Sequence, residues 1–506
     1  MKKNSFLKSS AILFVGDLLT KILGFIYLAP LARIDEGIGT IQGYLMTPYS
    51  FFITFSVMGI TNVMMYKLGP ALEDKDGYKR HFLDGVYYVL ITSVVITSGL
   101  VFFANTLMTQ ATPDGISYLP DLVVSLRIIA VSILFFAINT LIRAVMLTKS
   151  HVKIISITYI TEQLVKLIIL LVGCYYFISI KGYDVSVSSY VTAWSVTISV
   201  ASTTLILAIY SLKVKLFDFM DGAKYKWSPA SFKAIFMLGA VYFVNSIFIS
   251  GFSQIDLAML ADSLVNKGYS ILEAEKITGI YFTWSWKLIM VVITLGSVFV
   301  TIMIKQMTQV ETIEEKVGEM KSVIDFVLLY TLLATVFFLT AGVDFYTWFY
   351  GTSDGILILM SQALLIVPIM IRMLLSVFEI TVGQRRVVLL STAVIFAVKI
   401  VLNPILFNFF EVYGFIMASF IASLISIIFM LVFDHHIFRF SKTEYLKMLI
   451  VFVKMLIVYI ISALFARFVH GFDISYFISL MIISIEILVV FGLINIKELK
   501  QFKKMT

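Results

Sequence analysis

Four basic residues sit deep inside apolar stretches of the chain: Lys21, Lys166, Arg372 and Lys399. A charge at the centre of a membrane helix costs roughly 2.5–3.5 kcal/mol on insertion scales, so each needs a partner or a use. Asp17 and Lys21 are four residues apart. Glu162 and Lys166 repeat that spacing within ITYITEQLVKLIILLVG (157–173), which puts each pair on one helix face. Arg372 and Glu379, seven apart, also share a face. One chemistry open to such pairs is mutual neutralisation that fixes helix packing. The other is a wet cleft lined with cations, which suits an anionic headgroup. The basic member is the deeper one in each pair, and Lys399 has no acid within a turn. These points favour the cleft, with Glu162 holding Lys166 in place and Lys166 facing the water. Asp256, in SQIDLAML, lies eleven residues after Asn245 on nearly the same face. It suits a proton or cation site and an interfacial acid about equally.

Other chemistries find little support. No Walker loop and no Gly-rich phosphate loop after a strand occurs, so no nucleotide chemistry is expected. His435 and His436 adjoin Asp434 in a connection and read as a solvated turn rather than a metal site. No cofactor or metal is expected. Cys174, the single cysteine, excludes an internal disulfide. Glu486 lies near mid-depth of the last apolar run, with no role assigned.

The elements that carry these residues must be membrane helices. The 506 residues are 60% hydrophobic and 14% charged, against roughly 45–50% and 25% in soluble domains. Apolar runs of about 20 residues or more, long enough to cross roughly 30 Å of hydrocarbon, recur along the chain. About fourteen are counted: 7–31, 38–66, 82–106, 119–147, 154–179, 186–212, 231–261, 277–304, 322–342, 355–383, 387–409, 412–434, 446–467 and 473–494. Only helices suit such runs, because each satisfies its own backbone groups. The first run follows the basic MKKNSFLK without a small-residue cleavage site and reads as a retained span. Lys and Arg cluster on alternate connections. The opposite connections hold only Arg33, Lys181, Lys267, Lys276 and Arg467, with Arg33-Ile34-Asp35-Glu36 the densest charge cluster there. Both termini are therefore expected in the cytoplasm. The net charge of +8 is then mostly topology and contact with anionic lipid, not with nucleic acid.

The pattern predicts an all-α polytopic membrane protein. Residues 1–212 form an N-terminal six-helix half and 213–230 a cytoplasmic linker. Residues 231–434 form a C-terminal six-helix half, and 435–506 two extra spans with a basic tail. The halves carry a repeat at an offset of about 235 residues: TKSHVKIIS (148–156) against GQRRVVLLS (383–391), Lys166 against Lys399, and acidic connectors EDKDGYK and ETIEEK. Six spans separate the copies, so they share orientation, and two such halves enclose a central cleft.

At this point a family resemblance emerges. TKILGFIYLAPLARI (20–34) with EGIGTIQGYLMTPYS (36–50) resembles the first-span signature of bacterial polysaccharide transporters. ITYITEQLVKLI (157–168) and VKIVLNPIL (398–406) resemble the fifth- and eleventh-span signatures of the spore-cortex and lipid II flippase-like branch of the multidrug/oligosaccharidyl-lipid/polysaccharide flippase superfamily. The resemblance implies a non-enzymatic flippase in the bacterial cytoplasmic membrane. It would move undecaprenyl-pyrophosphate-linked saccharides between leaflets by alternating access, with polymerases or glycosyltransferases as candidate partners. Lys21, Glu162, Lys166 and Lys399 occupy matching motif positions. Lys21, Lys166, Arg372 and Lys399 are expected at the headgroup, with Asp17, Glu162, Asp256 and Glu379 in supporting or ion-coupling roles. Ile26-Tyr27 follow Leu23-Gly24-Phe25 where proteobacterial lipid II flippases carry an Arg-Asp pair. A polysaccharide-unit flippase is therefore preferred to a lipid II flippase. A cation-coupled antiporter would need unpaired acids, and the surplus of deep cations argues against it. A membrane glycan polymerase ranks last.

Overall fold

The computed structural model describes residues 16, 18–57, 59–69, 71, 74–220, 229–307, 312–434, 442–472 and 474–495. Asp17, the His435–His436 pair and the side chain of Asn245 lie outside the described set. All regular structure among the described residues is helical.

The chain opens with α1 (18–26), a turn at Tyr27, then α2 (Leu28–Ile34), α3 (Gly37–Val57) and α4 (Ile60–Leu68). These stand where the first two apolar runs were expected, but in pieces. Gly59 takes φ 68° at the start of α4, and Pro48 lies inside α3. Residues 38–45 of α3 are all buried by protein. Thr40 and Gln42 are therefore tolerated in a helix that needs no lipid-facing surface there.

The next helices are α5 (Lys75–Ala111), α6 (Leu119–Thr148), α7 (Val152–Cys174, continued by a π-helical turn Tyr175–Ile180) and α8 (Val187–Lys213). After them come α9 (Pro229–Asn266), α10 (Ile271–Gly279), a second π turn Ile280–Ser285, and α11 (Trp286–Met307). Then follow α12 (Ile313–Thr340), α13 (Gly342–Tyr350), α14 (Ile356–Ala363), α15 (Ile366–Thr381), α16 (Arg385–Phe410) and α17 (Val412–Phe433). A hairpin, α18 (Lys442–His470) and α19 (Tyr476–Ile494), completes the described chain. Twelve of these segments are long and apolar enough to cross a membrane, and they fall on the last twelve expected runs. The protein is a multi-pass, all-helical membrane protein.

Both acidic connectors act as helix caps. Asp74 accepts from the backbone N–H groups of Asp76 and Gly77 at the start of α5. Thr312 and Glu315 form a capping box at the start of α12. In each case an oxygen satisfies helix N–H groups that have no carbonyl partner. The α6–α7 and α15–α16 turns also match. Ser150 has φ 63° and Gly383 φ 91°. His151 N–H donates to Met146 O and Gln384 N–H to Glu379 O, each at 2.8 Å. Both turns close by the same six-to-one bond that ends a helix through a left-handed residue.

The contacts divide the chain into two compact units, Met1–Phe282 and Thr283–Thr506. The division falls inside the eighth span, not in the 213–230 linker, because α9 packs on α3 and α5, and α10 on α3. Of that linker, residues 214–220 dock on the first unit. Leu216 and Phe219 are buried with Tyr78 and Phe82. Lys149 Nζ donates to Leu216 O and Asp218 Oδ1, at 2.7 and 2.9 Å. The hydrogen bond from Lys149 holds the exposed Asp218 carboxyl below its ordinary range. In the second unit α18 packs on α12 and on α19.

Candidate functional site

The first unit brings three of the expected residues together along a seam between α1 and α7. Close approach there depends on glycine. A Cβ on Gly16 would stand 2.5 Å from Ser156 Cβ, and one on Gly24 3.1 Å from Gln163 Nε2. Lys21 lies three residues before Gly24, and Lys166 three after Gln163, so both chains project onto this seam. Lys21 and Lys166 are half-buried. Lys166 lies fourteen residues into the 29-residue span Val152–Ile180, about 21 Å from its start at 1.5 Å per residue. That is mid-depth. Its ammonium acts electrostatically on the buried Tyr27 hydroxyl, at the break between α1 and α2.

Glu162 is tied to a residue not on the expected site. Arg143 of α6 donates to Glu162 Oε2 at 2.9 Å, and the Arg143 side chain is only 3% exposed. Its guanidinium also stacks over the Tyr159 ring, 3.9 Å from the centroid. Arg143 stands near the end of the fourth expected run and drew no site assignment from sequence. The available signal was the apolar AVML that follows it, still inside the expected run 119–147. Along the seam, among the described residues, Lys21 and Lys166 accompany the Arg143–Glu162 pair. Such a surplus can hold a compact anion that enters from a wet side. No group of three or more His, Cys, Asp and Glu side chains comes together among the described residues.

Arg372 and Lys399, also expected at the headgroup, are both 0% exposed. Arg372 Nε donates to Ser426 Oγ of α17 at 3.1 Å, and Nη2 to Thr392 Oγ1 of α16 at 2.7 Å. Lys399 Nζ donates to Ser419 Oγ and to Phe415 O, both on α17. These cations are built into the α15–α16–α17 packing, where small hydroxyl side chains replace the water a charge would otherwise keep. Glu379 is equally buried, and neither carboxyl oxygen has a hydrogen-bond donor among the described residues. Its neighbour is the Asp434 carboxyl, so the seven-residue spacing from Arg372 does not produce a hydrogen-bonded pair. Asp256 is buried and accepts a hydrogen bond from Tyr281 at 2.7 Å, away from the α1–α7 seam in sequence and in its helix contacts. Lys287 lies sixteen residues into the span that starts at Ile271.

The seam lies within a segment that matches a known family. A family model described as "Polysaccharide biosynthesis protein" covers residues 6–282, more than half of the chain. The chain belongs to that family. A curated relative, the lipid II flippase MurJ of Bacillus subtilis (strain 168), is 20% identical over 450 residues, covering 83% of this chain and 81% of the relative. Among solved structures, a lipid II flippase MurJ in an inward closed conformation superposes with a TM-score of 0.68 at 14% identity, covering 97% of this chain and 100% of that one. A multidrug resistance MATE family transporter of the MOP superfamily, inward-facing, gives 0.62 at 13% identity over 84% and 95% of the two chains. These similarities show the fold: this family member shares the all-helical architecture of those transporters.

Proposed function

We propose that this transporter flips a polyprenyl-diphosphate-linked saccharide from the inner to the outer leaflet of the cell membrane, by alternating access, to supply cell-surface polysaccharide synthesis. The observation that carries the reading is the α1–α7 seam, where Lys21 and Lys166 stay half-buried, with Lys166 at mid-depth one helical turn from the Glu162 that pairs with Arg143. A diphosphate brings two or more negative charges through this depth. Lysine offers point charges that follow a moving anion, whereas the planar guanidinium of Arg143 is locked against Glu162 and Tyr159. The polyprenyl chain stays in lipid, so the protein has only to shelter the head. The family description supports a polysaccharide role, and the cation surplus disfavours an organic-cation antiporter.

A second reading, flipping of lipid II itself, draws support from the name of the curated relative. The test is flipping in vesicles containing the purified chain. Lipid II and a polyprenyl-diphosphate oligosaccharide are supplied in parallel, and appearance in the outer leaflet is scored by an impermeant enzyme. Movement of the oligosaccharide lipid without lipid II supports the first reading. Movement of lipid II alone supports the second. Movement of neither, with export of an organic cation, ends both.

A further inference from the structure

The charge cluster Arg33-Ile34-Asp35-Glu36 follows the first span on the side that the Lys/Arg asymmetry assigns to the outside. Its two acids are engaged locally. Asp35 Oδ1 accepts from the Gly37 N–H at 2.7 Å, and Glu36 pairs with Lys276 at 3.5 Å. Arg33, in the last turn of α2, is exposed and enters neither interaction. It lines a groove of about 490 Å³ between α2 and the end of α7, with Ala29, Pro30, Leu171, Tyr175 and Ser179. Sites for small ligands typically span roughly 300–1,000 Å³, apolar walls with a few polar groups. This one offers a guanidinium and two hydroxyls at one end and an apolar wall at the other.

The wall is shaped by the π-helical turn Tyr175–Ile180, a form that recurs at functional sites. The neighbouring Lys181 is held over the Tyr176 ring, 5.6 Å from its centroid, which adds positive potential near the mouth. The groove also continues the path already described. α7 carries Lys166 at mid-depth and Tyr175 and Ser179 at its end, while α1 and α2 carry Lys21 and then Arg33.

We propose that this groove is the outer station of the transport path. There the diphosphate of the lipid-linked substrate rests on Arg33, Tyr175 and Ser179, and the first units of its polyprenyl chain lie along Ala29, Pro30 and Leu171. The proposal rests on the functional reading above. Arginine suits a resting station because its fork binds phosphate oxygens in pairs, while mid-depth lysines pass the anion on.

The experiment is native mass spectrometry of the full-length chain in nanodiscs, titrated with undecaprenyl diphosphate or with phosphatidylglycerol. Arg33→Gln is compared with Arg467→Gln, an exposed arginine on the same expected side but on α18. Loss of one charge-assisted pair should weaken undecaprenyl diphosphate binding about tenfold in Arg33→Gln. Phosphatidylglycerol binding, and both lipids in Arg467→Gln, should stay unchanged. Tyr175→Phe with Ser179→Ala should give a smaller loss with the same selectivity. Equal loss of both lipids, an equal loss in Arg467→Gln, or no loss in Arg33→Gln overturns the station and leaves the functional reading standing. Failure of the unaltered chain to bind undecaprenyl diphosphate overturns both.

Discussion

The α6–α7 and α15–α16 regions are built on the same plan and have been put to different use. Their turns match in hydrogen bonding, and Lys166 and Lys399 each lie fourteen residues beyond the start of the helix that follows. In that register Glu162 corresponds to Ile395, Arg143 to Ser376 and Asn139 to Arg372. The first region keeps an Arg–Glu pair beside a half-buried lysine. The second has lost both partners and buries its lysine and arginine completely against Ser419, Ser426 and Thr392. Equivalent backbone position therefore does not transmit equivalent chemistry. One lysine stays half-buried on the α1–α7 seam, and the other is fully buried in the packing of α16 on α17.

The largest effect should come from breaking the ion pair. Arg143→Ala removes the one hydrogen-bond donor shown for Glu162 among the described residues, and loss of one partner from a buried pair costs about 3–5 kcal/mol. A thermal melt of the purified protein should show it, with partial recovery in Arg143→Ala/Glu162→Gln. Next is Lys399→Ala, which should cost about 2–4 kcal/mol through the cavity left between α16 and α17. Lys399→Met should recover most of that loss, because an apolar chain of similar volume often replaces a buried charge at little cost. A melt in which both variants match the parent would break the contrast with Lys166. Gly16→Ala should cost about 1–2 kcal/mol by overpacking against Ser156, and should also slow flipping by spreading the α1–α7 seam. The smallest stability effect is expected for Lys166→Gln, within about 1 kcal/mol, because the side chain is only half-buried and Glu162 keeps Arg143.

Much of this was legible in the sequence. Length and apolarity located twelve spans, because lipid imposes helices on any run of that kind. The matching turns at residues 150 and 383 were visible as a repeat, since a left-handed closing residue leaves a local signature. The mid-depth position of Lys166, with Glu162 one turn before it, could be read from their place in the fifth run. What could not be read was the third dimension. The spacing of Glu162 and Lys166 indicated a pair along one helix, but Arg143 reaches Glu162 from another. Lys399 lacks an acid in its own helix, which suggested exposure, yet a hydroxyl and a carbonyl on α17 solvate it. Serine and threonine are too common in membrane helices for sequence alone to reveal which of them shelter a charge. The pieces of α3 and α4 were merged into one run because burial by protein, unlike burial in lipid, leaves no hydropathy signal.

The central claim is that the anionic head travels along the α1–α7 seam and not past Lys399. It is tested most directly by flipping a polyprenyl-diphosphate-linked saccharide in vesicles with Lys166→Gln and Lys399→Met, each verified by thermal melt. The account predicts that Lys166→Gln melts like the parent but flips at least about tenfold more slowly, the value of one charge-assisted contact. Lys399→Met should flip at a rate close to the parent. Parental flipping by Lys166→Gln, or an equal loss in a stably folded Lys399→Met, would contradict it.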